Sequence, residues 1–260
     1  MDNKQLILYI LFILAMYILF TLMIYILFQI SFKIIIQGGN KMEEVKNLPI
    51  YYDSEFTRLH RNGQLISVAF VSETGNIFYA EFNDYAELDP EPLDDWIQEN
   101  VITNLLFNDL EVADMLIPDQ MSKNAAVFMK GNKKEIWKKL FAWMYVEVTS
   151  HGYNKAQIYS DCYTYDWMLF NDLICEDGPV LNFPDFINYN PIDLYSYLQI
   201  NGIDPDISRE ELVNFDEDKM EVINRLLNLI APGKEISKHS SIFDALVIKT
   251  IFEAINNINE

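Results

Sequence analysis

Cysteine is scarce: two in 260 residues cannot build a disulfide framework, so nothing points to secretion. Glycine and proline, nine of each, are too few for a linker-rich or low-complexity chain. Three histidines, His60, His151 and His239, argue against a multi-histidine metal site. No glycine-rich phosphate loop or Walker-type sequence occurs. Positive charge is also in short supply. Against 39 Asp+Glu stand 19 Lys+Arg, which leaves a formal charge of −20. That balance argues against coating nucleic acid through a broad basic surface. It leaves open an enzyme that handles nucleic-acid ends through bound metal ions.

Half the residues are apolar and 14% are aromatic, which excludes a disordered or collagen-like chain. The length suits one domain of moderate size with room for an appendage. The mean hydropathy of +0.01 averages two unlike parts, an oily head and an acidic body.

No charged residue occurs from Leu6 to Phe32. About 20 apolar residues suffice to span a bilayer, so this run is long enough. A cleaved signal peptide fits poorly, because the stretch is long and no small-residue cleavage site follows. As a span, the segment has Lys4 on one side and Lys33, Lys41 and Lys46 on the other. The excess of positive charge then places the body in the cytoplasm as part of a single-pass protein. A second reading starts from composition. The run is almost wholly Ile, Leu, Phe, Tyr and Met, with one Ala and no Val or Gly, whereas membrane helices usually mix in small residues that let them pack. Ile, Leu, Phe and Tyr have codons made only of A and T. Gln37-Gly38-Gly39 back-translates to a ribosome-binding sequence at suitable spacing before Met42. On that reading translation starts at Met42, and residues 42–260 are a cytoplasmic protein. Membrane association is expected only if residues 1–41 are translated.

In the body, Leu48 to Phe56, Leu65 to Val71 and Ile77 to Phe82 read as three strands. Asn62-Gly63 and Thr74-Gly75-Asn76 mark the turns between them, so the strands form an antiparallel meander. A helix is predicted over 92–106, irregular chain over 107–130 and a helix over 132–150. Short strands are predicted at 157–160 and 186–189. Further helices are predicted at 165–174, 191–199, 208–212, 218–229 and from Ser240 or Ser241 to about 256. Strands followed by alternating helices and short strands indicate an α/β fold with a mixed sheet.

Four carboxylates and one histidine are the candidate chemical groups. Asp53 and Glu55 lie two apart on a predicted strand, so both leave the same face. Burying two such carboxylates is costly without a cation, and hard Mg²⁺ or Mn²⁺ prefers carboxylate oxygens. Taken alone, Asp-x-Glu is weak, since one of the pair can lie on an exposed edge. Asp166 begins a helix, where capping alone would explain it, and Asp161 is its rival. His239 stands five residues before Asp244 at the head of the last helix, suited to general-base work near neutral pH. In isolation that pair also reads as a loop histidine and a first-turn acid.

The combination is more specific than its parts. Asp53-Ser54-Glu55-Phe56-Thr57, Tyr165-Asp166-Trp167 and His239-Ser240-Ser241-Ile242-Phe243-Asp244-Ala245 occur in this order. This resembles the DEDDh-type 3′→5′ exonucleases of the ribonuclease H-like (DnaQ-like) superfamily. The nearest likeness is to the small bacterial and phage exoribonuclease-like branch, over roughly residues 48–256. Two departures are Arg58, where glycine often follows Phe-Thr, and the filling of the His-x4-Asp gap.

The resemblance implies a ribonuclease H-like mixed sheet of five to six strands flanked by helices. It implies two Mg²⁺ or Mn²⁺ ions held by Asp53, Glu55, Asp166 and Asp244, with His239 as general base. Phe56, Thr57 and Leu59 would line the pocket of the terminal nucleotide. The substrates would be single-stranded RNA or DNA with a free 3′ end, RNA being favoured, and the products nucleoside 5′-monophosphates. Relatives often dimerise, so a homodimer is open. Lys130, Lys133, Lys134, Lys138 and Lys139 form the concentrated basic patch of the body, read as a phosphate guide or a solvated helix face. Three other readings stand beside this one. They are an inactive ribonuclease H-like binding module, a membrane-anchored interaction protein, and an unrelated metal-dependent phosphoesterase.

Overall fold

The computed structural model describes residues 20–26, 45–60, 62–89, 91–107, 115–118, 125–175, 183–212, 217–230, 232–234 and 238–259. The chain divides into two compact units, Met1–Val45 and Lys46–Glu260. In the first, residues 20–26 are helical. Among the described residues no helix is long and apolar enough to cross a membrane. Most of the hydrophobic run, and the proposed start at Met42, lie outside the described residues.

The second unit is an α/β fold built on one mixed seven-stranded sheet. Its strands are β1 (Asn47–Phe56), β2 (Leu65–Ser72), β3 (Ile77–Phe82), β4 (Met115–Pro118), β5 (Ala125–Gly131), β6 (Lys155–Ser160) and β7 (Ile192–Asp193). They lie in the order β4-β5-β3-β2-β1-β6-β7. The helices are α1 (Tyr85–Leu88), α2 (Asp95–Asn100), α3 (Lys133–Ser150), α4 (Tyr163–Cys175), α5 (Leu194–Ile200), α6 (Arg209–Leu212), α7 (Glu217–Ile230) and α8 (Ser241–Asn259).

The meander forms as its sequence dictates. β1 pairs antiparallel with β2, and β2 with β3. Every residue of β2 and β3 is buried, as expected of strands covered on both faces. Gly75, at φ 89°, makes the turn between them in a conformation that side-chain-bearing residues resist. At Gly63 a Cβ would stand 2.5 Å from the Arg58 carbonyl oxygen, so the backbones can meet there only without a side chain.

Alternation sorts β1 between two cores. Leu48, Ile50 and Tyr52 join Phe70, Phe78, Ile136, Leu140, Trp167 and Phe170 beneath α3 and α4. Tyr51 joins Ala69, Val71, Tyr79, Leu246 and Phe252 beneath α8. Parity therefore sends Asp53 and Glu55 to the α8 face and Ser54 to the α4 face. β6 runs parallel to β1, so the loops after both strands open at the same end of the sheet. The β1–β2 register breaks between Glu55 and Phe56, where the strand leaves the sheet.

Four stretches differ from the sequence reading. Residues 107–130, expected to be irregular, contain β4 and β5. Ala125–Gly131 has no alternation to announce a strand; it becomes one because the edge of β3 offers a parallel partner. The helix expected over 92–106 is α2 followed by a 3₁₀ turn, Ile102–Asn104. The Asp94 side chain caps α2 by accepting from the Ile97 N–H, and the buried Glu81 carboxylate takes the N–H groups of Leu106 and Phe107. The strand expected at 186–189 is a single bridge, Ala156 to Ile187. Pro191 does not open a helix: β7 follows it, and Asp193 caps α5 through the Ser196 N–H.

Candidate active site

The end of the sheet where β1 and β6 finish opens into a cleft of about 870 Å³. Asp53, Glu55, Asp166, His239 and Asp244 all line it. Five residues from three regions of the chain therefore share one cavity, delivered by a strand, two helix starts and a loop. The pleat of β1 presents Asp53 and Glu55. The first turn of α4 presents Asp166, and that of α8 presents Asp244. The loop before α8 presents His239.

Their electrostatics are those of crowded acids. Burial raises the Asp53 carboxyl well above the usual range, and the charges of Asp166, Asp244, Glu55 and Asp161 raise it further. Burial likewise raises Glu55, with Asp244 and Asp166 adding to the effect. Asp166, 1% exposed, is pushed up to about 7 by burial. Its own hydrogen bonds act against that rise: Ser54 Oγ donates to Oδ1 at 2.6 Å and Ser160 Oγ to Oδ2 at 2.9 Å. Ser54 thus reaches Asp166 from the opposite face of the same strand that carries Asp53 and Glu55.

Glu55, His239 and Asp244 form a close group, with one ligand atom of each within 4.8 Å of the others. The main-chain N–H of His239 donates to Asp244 Oδ2 at 3.1 Å. His239 holds a left-handed backbone, φ 62°, a conformation uncommon outside glycine. Its ring stands edge-on to Trp96, with centroids 4.8 Å apart. Trp96 is 51% exposed and also lines the cleft. Such a set of carboxylates with one imidazole fits divalent cations, and the named neighbours that raise Asp53 are all acids whose repulsion a cation would relieve.

The residues expected to hold the nucleotide divide. Phe56 and Leu59 line the cleft, and Phe56 stacks on Tyr165 at 5.9 Å. Thr57 is buried and is not among the lining residues. Its hydroxyl donates to Asp89 Oδ2 at 2.9 Å and accepts from the Gln64 N–H at 3.0 Å. The turn out of β1 uses its side chain for its own closure. Arg58 is bound at Asp89 (2.7 Å) and to Glu91, which ties the cleft rim to these two acids.

Asp161, the rival to Asp166, has another partner. Arg209 grips both of its oxygens at 2.7 and 2.8 Å and donates to the carbonyls of Pro205 and Ile207. Trp96, Arg209 and the two serines escaped the sequence reading; Trp96, Arg209 and Ser54 matter through distant partners, and Ser160, six residues before Asp166, has no signature that marks it as its donor. The lysine patch is partly committed: Lys130 donates to the Phe107 carbonyl and Lys133 pairs with Asp172.

No protein-family model and no curated protein matches the sequence. Among solved structures the chain is similar to E. coli exonuclease I in complex with a dA16 oligonucleotide, at 12% identity and a TM-score of 0.37. The match covers 81% of this chain and 40% of that one, so the chain spans less than half the length of that protein. A likeness of this degree carries no argument about activity; the geometry of the cleft carries it instead.

Proposed function

We propose that the body of the chain, from about residue 42, is a divalent-metal-dependent 3′→5′ exonuclease acting on single-stranded RNA or DNA ends. The observation that carries this reading is the meeting of Asp53, Glu55, Asp166, Asp244 and His239 in one cleft. These are the residues of the three motifs that resemble the DEDDh exonucleases. Asp53, Glu55 and Asp244 would hold the ions, and Asp166, fixed by Ser54 and Ser160, would support them. Mg²⁺ or Mn²⁺ bound there would supply Lewis acidity at the phosphodiester and at the attacking water.

The remaining work falls to the chain. His239 takes the proton of the attacking water; as its oxygen bonds to phosphorus the P–O3′ bond breaks, the 3′ oxygen left on the strand takes up a proton, and the phosphate leaves on a nucleoside 5′-monophosphate. Phe56, Leu59 and Trp96 offer apolar faces on which a terminal base can stack. The acidic cleft repels a phosphate backbone until cations neutralise it, which favours a short single strand over long duplex.

The deciding experiment incubates the purified protein with RNA and DNA oligomers labelled at either end, with Mn²⁺, with Mg²⁺ and with EDTA. The expected result is stepwise loss from the 3′ end, metal-dependent, with 5′-monophosphate products. Internal cleavage, 3′-phosphate products or full activity in EDTA would overturn the reading.

A further inference from the structure

The segment from Trp96 to Leu105 carries two rows of side chains at four-residue spacing. Ile97, Val101 and Leu105 are buried and pack with Ile66 of β2. Trp96, Asn100 and Asn104 each precede one of them and form the neighbouring row. That row is joined by its own bonds: Asn100 Nδ2 donates to the Trp96 carbonyl at 2.9 Å, and Asn104 Nδ2 to the Asn100 carbonyl at 2.6 Å. Both ends of it reach the histidine loop. The Trp96 ring meets the His239 ring, and Asn104 Nδ2 also donates to the Lys238 carbonyl at 3.1 Å. Across the same peptide bond, the His239 N–H donates to Asp244 Oδ2 at 3.1 Å. The peptide unit from Lys238 to His239 is therefore pinned at both of its polar ends. The bond that follows it is the His239 N–Cα bond, held at φ 62°. An uncommon backbone angle of this kind persists where surrounding contacts fix it. With the peptide plane and φ set, the direction of the His239 Cα–Cβ bond is set as well.

We propose that Asn104 is a positioning residue for His239, holding the peptide plane from which the imidazole is aimed into the acidic cleft. The proposal rests on reading His239 as the base of the reaction. An asparagine amide suits the task, because its nitrogen carries two hydrogens and serves two carbonyls at once. One bond anchors it to its own segment and the other holds the loop. A serine offers one hydrogen and an ionised aspartate none. The anchor is firm, because the buried row of Ile97, Val101 and Leu105 fixes the segment against β2. Loss of the amide frees the carbonyl end of the peptide, the plane turns, and the imidazole swings away from the attacking water. A base misplaced by about 1 Å costs up to about a hundredfold in rate. The carboxylates and the stacking faces stay where they are, so metal and substrate binding are kept.

The test measures kcat and KM on a short oligomer, with saturating Mn²⁺, for the wild type, Asn104→Ala, His239→Ala and the double variant. Asn104→Ala is expected to lower kcat by about tenfold to a hundredfold, with KM and Mn²⁺ affinity within about twofold of wild type. In the His239→Ala background the same substitution should change kcat by less than about twofold, since the group it aims is already gone. Hydrogen exchange at the His239 amide, read by nuclear magnetic resonance, needs no catalysis. It should quicken by about threefold to tenfold in Asn104→Ala, the scale of one lost hydrogen bond. Equal losses of kcat in both backgrounds would show a general effect on the fold and overturn the proposal. Unchanged kcat or unchanged exchange in Asn104→Ala would overturn it too, and the nuclease reading would stand on the activity of the wild type. A wild type without metal-dependent activity would bring down that reading and the proposal with it.

Discussion

With its divalent ions removed, the protein is expected to lose stability as pH rises from about 5 to about 8. Asp166 is the group from which the size of the effect can be worked. Burial raises its carboxyl from 3.8 to about 7. Between those values the folded chain keeps a proton that the unfolded chain has released. Stability from this group is fully present below about pH 4 and is lost as pH rises through about 7. At about 1.4 kcal/mol per pH unit, the full loss is about 4 kcal/mol, of which about 3 kcal/mol falls between about pH 5 and about pH 8. Asp53 and Glu55 are raised too and act in the same direction. Asp89, held below its usual range in part by hydrogen bonds from Thr57 and Arg58, is ionised in both states across this window and adds no slope. A comparison with Asp166→Asn isolates the contribution of Asp166, since asparagine keeps the shape and has no proton to release. Thermal unfolding of both proteins in EDTA, at about pH 5 and about pH 8, is the assay. The wild type should lose roughly 8 °C more than the variant, taking about 2–4 °C per kcal/mol for a domain of this size. Mn²⁺ at the higher pH should restore the wild type. Parallel curves for the two proteins across this range would refute the electrostatic account of the site.

Three substitutions extend the test. Asp244→Ala should abolish nuclease activity while circular dichroism shows an intact fold; full activity in that variant would refute the assignment. Trp96→Ala should raise KM for oligonucleotides by roughly tenfold, given stacking worth about 1–3 kcal/mol per base, and steady-state kinetics on a short oligomer will show it. An unchanged KM would remove Trp96 from the substrate path. Arg209→Ala breaks a two-pronged, partly exposed pair and leaves Asp161 beside the other acids. It should cost about 1–2 kcal/mol in denaturant unfolding, after allowance for solvent screening, and the loss should shrink when divalent ions are added.

The motif residues were legible because their signals are local. Asp-x-Glu on a strand fixes two carboxylates to one face whatever the rest of the chain does. The Asn132–Glu135 capping box and the Thr74-Gly75-Asn76 turn announce their elements in the same way. The resemblance then grouped the five residues that share the cleft, although no spacing in the sequence brings residue 53 to residue 244.

Other features depend on partners that lie far along the chain. Ala125–Gly131 is a strand because β3 has an edge to pair, more than forty residues earlier. Thr57 turns from the cleft because Asp89 and Gln64 wait on its other side. Ser54, a spacer between two acids in the sequence, becomes the residue that orients Asp166. Asp161 and Asp166 look alike as two acids near a helix start. Arg209 claims one and two serines hold the other, a difference made largely by contacts of Arg209 and Ser54 across 48 and 112 residues, with Ser160 adding a bond across 6. The sequence by itself determined which side chains can leave a strand or helix on a common face, because backbone geometry repeats over a few residues. Only the tertiary structure decided which of them are buried, paired or crowded together, because burial and charge depend on neighbours that the chain brings close by folding.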